Sequence, residues 1–178
     1  RPMAHAWSIL IEVTNACRLR CAHCTEGVPH VRRPHFMSLE QLELALQSLR
    51  GWKKAVGCLG GEPTLHPQFS EVCALFRRYF PRRQLALWTC GGPAYEQHRA
   101  LIDETFALVS YNDHQSPGFH KPIMVAGEEV VPDEETLRRL IRDCFVPLHW
   151  SPLITHRGAF FCEVAATMDN LFDGPGGH

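Results

Sequence analysis

Trp7-Ser8-Ile9-Leu10-Ile11-Glu12-Val13-Thr14-Asn15-Ala16-Cys17-Arg18-Leu19-Arg20-Cys21-Ala22-His23-Cys24 is the stretch from which the rest of the chain can be ordered. Trp7 to Val13 is apolar and β-branched, the composition of a buried strand, and Thr14-Asn15 ends it. The strand delivers the chain directly into three cysteines spaced Cys17-x3-Cys21-x2-Cys24. Three thiolates in one tight loop leave one iron of a four-iron cube without a protein ligand, and that open iron is where chemistry can occur. Zinc favours four close ligands, or three plus water, and paired Cys-x2-Cys spacings. The spacing favours a cluster, with zinc and unliganded thiols as the alternatives.

Working outward, Ser38 and Gln41 form a capping box, and Leu39, Leu42, Leu46 and Leu49 recur at helical spacing until Gly51. Ala55 to Leu59 reads as a second strand, closed by Gly60-Gly61-Glu62-Pro63. A second helix is expected from about Pro67, turning Phe69, Val72, Cys73, Phe76 and Phe80 inward before Pro81. Leu85 to Thr89 is a third strand ending at Cys90-Gly91-Gly92, Tyr95 to Ile102 a shorter helix, and Phe106 to Tyr111 a fourth strand. Alternating strands and helices imply right-handed crossovers and an α/β fold with a parallel sheet. Ligands of such sheets gather at the carboxyl ends of the strands, where the cysteine loop, Gly60 to Pro63, Thr89 to Gly92 and Ser110 to Asp113 all fall. Beyond them Ile123 to Val125 is a candidate fifth strand. Asp133 is expected to cap a helix lined on one side by Leu137, Leu140, Ile141 and Cys144.

The chain has 178 residues, 45% apolar and 21% charged, with a formal net charge of -1, as expected of a globular domain. Without a long Lys/Arg run there is no electrostatic case for nucleic acid or an anionic membrane. No apolar stretch reaches the roughly 18 to 20 residues of a membrane span, and no signal peptide is legible, so the expectation is a soluble, cytoplasmic protein. Eight cysteines with three inside one short loop suggest metal or cluster ligation rather than a disulfide scaffold. Arg1 at the start and the Gly/Pro-rich run Phe172 to His178 at the end suggest a piece of a longer protein.

The cysteine spacing, with His23 just before Cys24, resembles the signature loop of the radical S-adenosylmethionine (SAM) superfamily. Gly60-Gly61-Glu62-Pro63 resembles that family's second motif, which holds the methionine amino group of SAM. The resemblance implies a partial (β/α) barrel over residues 7–126, a 4Fe-4S cluster on Cys17, Cys21 and Cys24, and SAM as cofactor. It implies reductive cleavage of SAM to methionine and a 5′-deoxyadenosyl radical that abstracts hydrogen from a substrate. The two glycines suit close backbone approach, Glu62 offers a carboxylate to an ammonium group and Pro63 stiffens the turn. His23 is expected near the adenine, or else as a packed aromatic. Thr89 and Ser110 stand where relatives contact SAM, or else cap strand ends, and Cys90 departs from the Asn pattern of relatives.

Cys144, Gly158 and Cys162 resemble the start of the SPASM and Twitch auxiliary-cluster extensions, so residues 127–178 read as the beginning of such an extension, with a second cluster in the full-length protein. The spacing is one residue short and the later cysteines of such extensions are absent; the alternative makes both thiols packed core residues. Cys58 and Cys73 read as core. The histidines are scattered and are expected to be surface or hydrogen-bonded residues, and Arg157 a surface arginine or else a partner for a substrate carboxylate. The SPASM/Twitch resemblance points to peptide or protein modification, or oxidation of a small alcohol or carbohydrate, with a flavodoxin- or ferredoxin-like electron donor. The rival reading is a non-catalytic iron–sulfur or zinc module with a redox or structural role.

Overall fold

The computed structural model describes residues 6–114, 126–144 and 152–178. Strands β1 (Ser8–Thr14), β2 (Ala55–Gly60), β3 (Leu85–Thr89) and β4 (Leu108–Tyr111) run parallel, linked by α1 (Leu39–Ser48), α2 (Phe69–Tyr79), α3 (Pro93–Gln97) and α4 (Arg99–Thr105). After these come α5 (Gly127–Val130), α6 (Glu134–Arg142), the hairpin β5 (Leu153–Thr155) and β6 (Gly158–Phe160), and α7 (Glu163–Leu171). The sheet order is β4-β3-β2-β1-β5-β6, with β5 parallel to β1 and β6 antiparallel to β5. This is an α/β partial barrel. Among the described residues, no helix is long and apolar enough to cross a membrane.

Successive residues of a strand face opposite sides, so the pleat sorts the sheet into two surfaces. Ile9, Ile11, Val13, Val56, Cys58, Leu85 and Leu87 pack on Leu42, Leu46, Phe69, Val72, Cys73, Phe76 and Ile102 of the helices, forming the main core. Burying each large side chain there is worth about 1.5–3 kcal/mol. Cys58 and Cys73 are fully buried, as the sequence suggests. On the other surface Leu10, Leu59 and Leu153 form a smaller cluster with Ala166, against which Trp88 and Phe160 pack.

The capping box at Ser38 forms both ways: Gln41 N–H donates to the Ser38 hydroxyl at 3.1 Å and Ser38 N–H to Gln41 Oε1 at 3.0 Å. The single helix expected over Tyr95 to Ile102 is two, because His98 sits at φ -98, ψ 7, outside helical geometry. The expected strand at Ile123 to Val125 lies outside the described residues. Sequence reading missed β5, whose three residues behind Pro152 are too few to show a period. Through β5 part of residues 127–178 joins the same sheet, beside β1. The Asp133 cap is present, accepting from Thr136 N–H at 2.8 Å, yet α6 buries none of its residues and Leu140, Ile141 and Cys144 are exposed. Cys144 is therefore not a core thiol.

Candidate functional site

The turn after β2 is stitched to the start of the cysteine loop. Gly61 N–H donates to Thr14 C=O at 2.9 Å and Glu62 N–H to Ala16 C=O at 2.7 Å. A Cβ on Gly60 or Gly61 would collide with the main chain of Thr14 to Ala16, so both glycines are required by the crossing of two backbones. The loop is strapped from the far side as well: Thr14 Oγ1 donates to His35 C=O at 2.6 Å, and Asn15 Oδ1 accepts from His35 N–H at 2.6 Å.

Cys17, Cys21 and Cys24 are free thiols, partly buried, and all three line one cavity of about 420 Å³. Gly60 and Gly61, Thr89 and Cys90, and Ser110, Asn112 and His114 bring the ends of β2, β3 and β4 to the same cavity. Leu10, Leu59 and Trp88 form its floor, and Thr25, Glu26, Val28 and Glu163 lie on the side of β1 and α7. A hydrogen bond from the Cys90 thiol lowers the Cys17 thiol to about 7, with Leu19 N–H and Arg18 assisting against burial and Glu62. Burial raises Cys21 and Cys24; the charges of Cys17 and Cys24 raise Cys21 further. Three soft thiols from one loop on one cavity wall are a donor set that fits a four-iron cube and would leave one of its irons without a protein ligand.

His23 also lines the cavity and stacks on His114 at 5.8 Å between ring centroids. With Cys21 these two rings place three ligand atoms within 4.8 Å of one another, a geometry that can also take a zinc ion. Sequence reading missed His114; its only signal is its place just past the polar run at the end of β4.

Glu62 is 1% exposed and does not line the cavity, nor does Pro63. Both carboxylate oxygens are already engaged. Oε1 accepts from Thr64 N–H at 3.2 Å and Thr64 Oγ1 at 2.7 Å, Oε2 accepts from Cys90 N–H at 2.8 Å with the Cys90 sulfur 3.1 Å away, and the Thr89 hydroxyl lies 2.9 and 2.8 Å from the two oxygens. The carboxylate thus ties the end of β3 to the turn after β2. From that turn it is Gly60 and Gly61 that reach the cavity.

Cys162 caps α7, accepting from Ala165 N–H at 3.4 Å, and burial raises its thiol, with the Cys144 thiol close enough to add to the effect. Arg157 is not a surface arginine. Its Nε meets Asp169 at 2.5 Å and its second guanidinium nitrogen donates to Gly174 C=O at 2.6 Å, so it clamps the final turn against the hairpin. The final run also pairs with β6, where Ala159 N–H donates to His178 C=O at 2.8 Å. His66 is buried and satisfied: Nδ1 accepts from Gln68 N–H, leaving Nε2–H to donate to Met37 C=O at 2.9 Å. His35 and His156 stack at 3.6 Å.

Three acids went unnoticed in the sequence. Glu12 of β1 is 8% exposed, and burial raises its carboxyl. Glu26 is raised well above the usual range by burial and by the charges of Glu12 and Glu163; burial raises Glu163 as well. The signal for Glu12 was its place inside an otherwise apolar strand.

A family model described as the Radical SAM superfamily matches residues 11–124. Among solved structures, BtrN in complex with AdoMet and 2-DOIA superposes with a TM-score of 0.63 at 17% identity, over 92% of this chain and 76% of that one. BtrN in an open conformation gives 0.61 at 17%, over 89% and 70%. SuiB of Streptococcus suis bound to its precursor peptide SuiA gives 0.46 at 15%, over 58% and 23%. No curated protein sequence matches the chain.

Proposed function

Because this chain belongs to the radical SAM superfamily and is an enzyme using a 4Fe-4S cluster and SAM, we propose that Cys17, Cys21 and Cys24 hold the cluster and that SAM lies along the ends of β2, β3 and β4. The observation that carries this reading is the convergence of the three thiols with Gly60, Gly61, Thr89 and Ser110 on one cavity. When bound, the reduced cluster would supply one electron to the sulfonium of SAM, whose C–S cleavage would give methionine and a 5′-deoxyadenosyl radical able to abstract hydrogen from the substrate. The chain's own part is to position and to exclude water.

Backbone groups of Gly60 and Gly61 meet the methionine end of SAM. Glu62 acts one step back, as a positioning residue that fixes Thr89 and Cys90. Ser110 and Asn112 offer polar contacts at the ribose, and His23 a ring at the adenine. Residues 7–126 form the core unit, and 127–178 an extension that closes the β1 side. The substrate is a peptide or protein, or a small alcohol or carbohydrate, the classes to which the SPASM/Twitch resemblance points. A flavodoxin- or ferredoxin-like protein in the cytoplasm would deliver the electron.

Anaerobic reconstitution should load about four irons and sulfides, since Cys144 and Cys162 are too few to anchor a second cube in this chain. Dithionite and SAM should then release 5′-deoxyadenosine. The trio Cys21, His23 and His114 favours one rival reading, a zinc-holding module. Zinc binding without nucleoside release would establish the rival and sink the first reading.

A further inference from the structure

Glu12, Glu26 and Glu163 come from three separate segments: β1, the loop just past Cys24, and the first turn of α7. Glu26 and Glu163 line the main cavity, and Glu12 and Glu26 line a small recess that adjoins it at Glu26. Both oxygens of Glu26 are sealed from solvent, and the side chain close enough to share a proton with them is Glu12, a second acid. Arg157 also lines the recess, but its guanidinium is committed to Asp169 and Gly174. Buried carboxylates without a counter-charge are costly, and the described surroundings supply Glu26 with a second acid and no cation.

Glu163 has a hydrogen bond from Thr25, but among the described residues no uncommitted cation faces any of the three acids, and a primary ammonium brings one positive charge with three N–H donors. We propose that Glu26 and Glu163, backed by Glu12, seat an ammonium group of the substrate, which makes the substrate a small amine-bearing molecule. The inference rests on the function proposed above. It assigns the amine to the substrate rather than to SAM because the acids stand on the β1 and α7 side of the cavity. The strands whose ends are assigned to SAM, β2 to β4, lie on one side of β1 in the sheet, and β5 and β6, which α7 contacts, lie on the other. An amine anchored there projects the rest of its molecule toward the space between the thiols and the ends of β2 to β4.

The test is anaerobic titration calorimetry on protein loaded with cluster and SAM, using two matched pairs of probes, cyclohexylamine against cyclohexanol and glucosamine against glucose. Each amine should bind about tenfold or more tightly than its hydroxyl counterpart, a step of about 1.4 kcal/mol. Glu26→Gln and Glu163→Gln should each erase most of that preference while leaving SAM affinity within about twofold. Glu26→Gln keeps shape and removes repulsion, so it should fold; Glu163→Gln, on the separate element α7, gives an independent reading. Equal binding of amine and alcohol, or no binding of either, overturns the proposal. So does a loss of SAM affinity with the amine preference intact, which would give the acids to SAM. Absence of 5′-deoxyadenosine from the wild-type protein would instead strike the proposed function and leave a measured amine preference standing.

Discussion

On β1, Ile9, Ile11 and Val13 are between 0 and 3% exposed and sit in the helix-backed core, whereas Leu10 and Glu12, one residue out of step, face the cavity and its recess. The first surface is apolar and closed. The second carries a buried acid, and Leu10 there joins a small cluster with Leu59, Leu153 and Ala166 of α7. Stability and chemistry are thus divided by the pleat rather than along the chain, because a strand's side chains alternate. Changes on the closed surface should act on folding, and changes around the cavity on ligands.

The largest contrast comes from the thiols. Replacing Cys17, Cys21 or Cys24 with Ala should abolish 5′-deoxyadenosine release and cluster absorbance. The unfolding free energy of the cluster-free protein should move by less than about 1 kcal/mol, because partly exposed thiols contribute little packing. Retained nucleoside release by the Cys21→Ala protein would overturn the assignment. On the closed surface Phe76→Ala should do the reverse, lowering unfolding free energy in urea by about 3–5 kcal/mol. If Phe76→Ala melts like wild type, the division by pleat is wrong.

The closed surface was also the more legible one. Leu42 and Leu46 on α1, and Phe69, Val72, Cys73 and Phe76 on α2, announce their burial by helical spacing, and the structure buries them all. The motif residues were legible as types but not in orientation. Glu62 could be named from Gly60-Gly61-Glu62-Pro63, yet nothing local reveals that Thr64, Thr89 and Cys90 would take both its oxygens, because β3 is distant in sequence. The acids of the cavity and its recess were invisible for the same reason: Glu163 joins Glu12 and Glu26 only once α7 has docked. Arg157 looked exposed until its partner Asp169 was placed on that helix.

Glu62→Gln probes the junction between the two surfaces at intermediate cost. An amide nitrogen cannot accept from the donors that one carboxylate oxygen now serves, so a buried donor is left unmatched at about 1–3 kcal/mol. Cluster absorbance should persist, while SAM affinity measured by equilibrium dialysis falls about tenfold through displacement of Thr89 and Cys90. Unchanged SAM affinity would reduce Glu62 to a turn residue.

The smallest effect belongs to His35 and His156, which stack where the loop after the cysteines meets the β5–β6 turn. Burial and the neighbouring His156 and His66 hold the His35 ring down at about 4, and burial lowers His156 too. A base whose folded value is depressed binds its proton more readily in the unfolded chain. Its contribution to stability is therefore intact above the unfolded value of about 6.5 and is lost progressively as pH falls toward 4. A shift of that size is on the order of 3 kcal/mol in a fully buried site, and half-exposure reduces it to on the order of 1 kcal/mol. The raised carboxyls of Glu12, Glu26 and Glu163 act in the opposite sense, favouring the fold at low pH, so the raw pH profile mixes both. His35→Phe separates them: it keeps a ring against His156 and gives up no hydrogen bond at Nε2, which has none. Urea unfolding at pH 7 and pH 4.5 should show the wild type losing about 1 kcal/mol more than the variant over that interval. Parallel losses in the two proteins would mean that His35 is already solvated and that this part of the loop is looser than the stacked rings indicate.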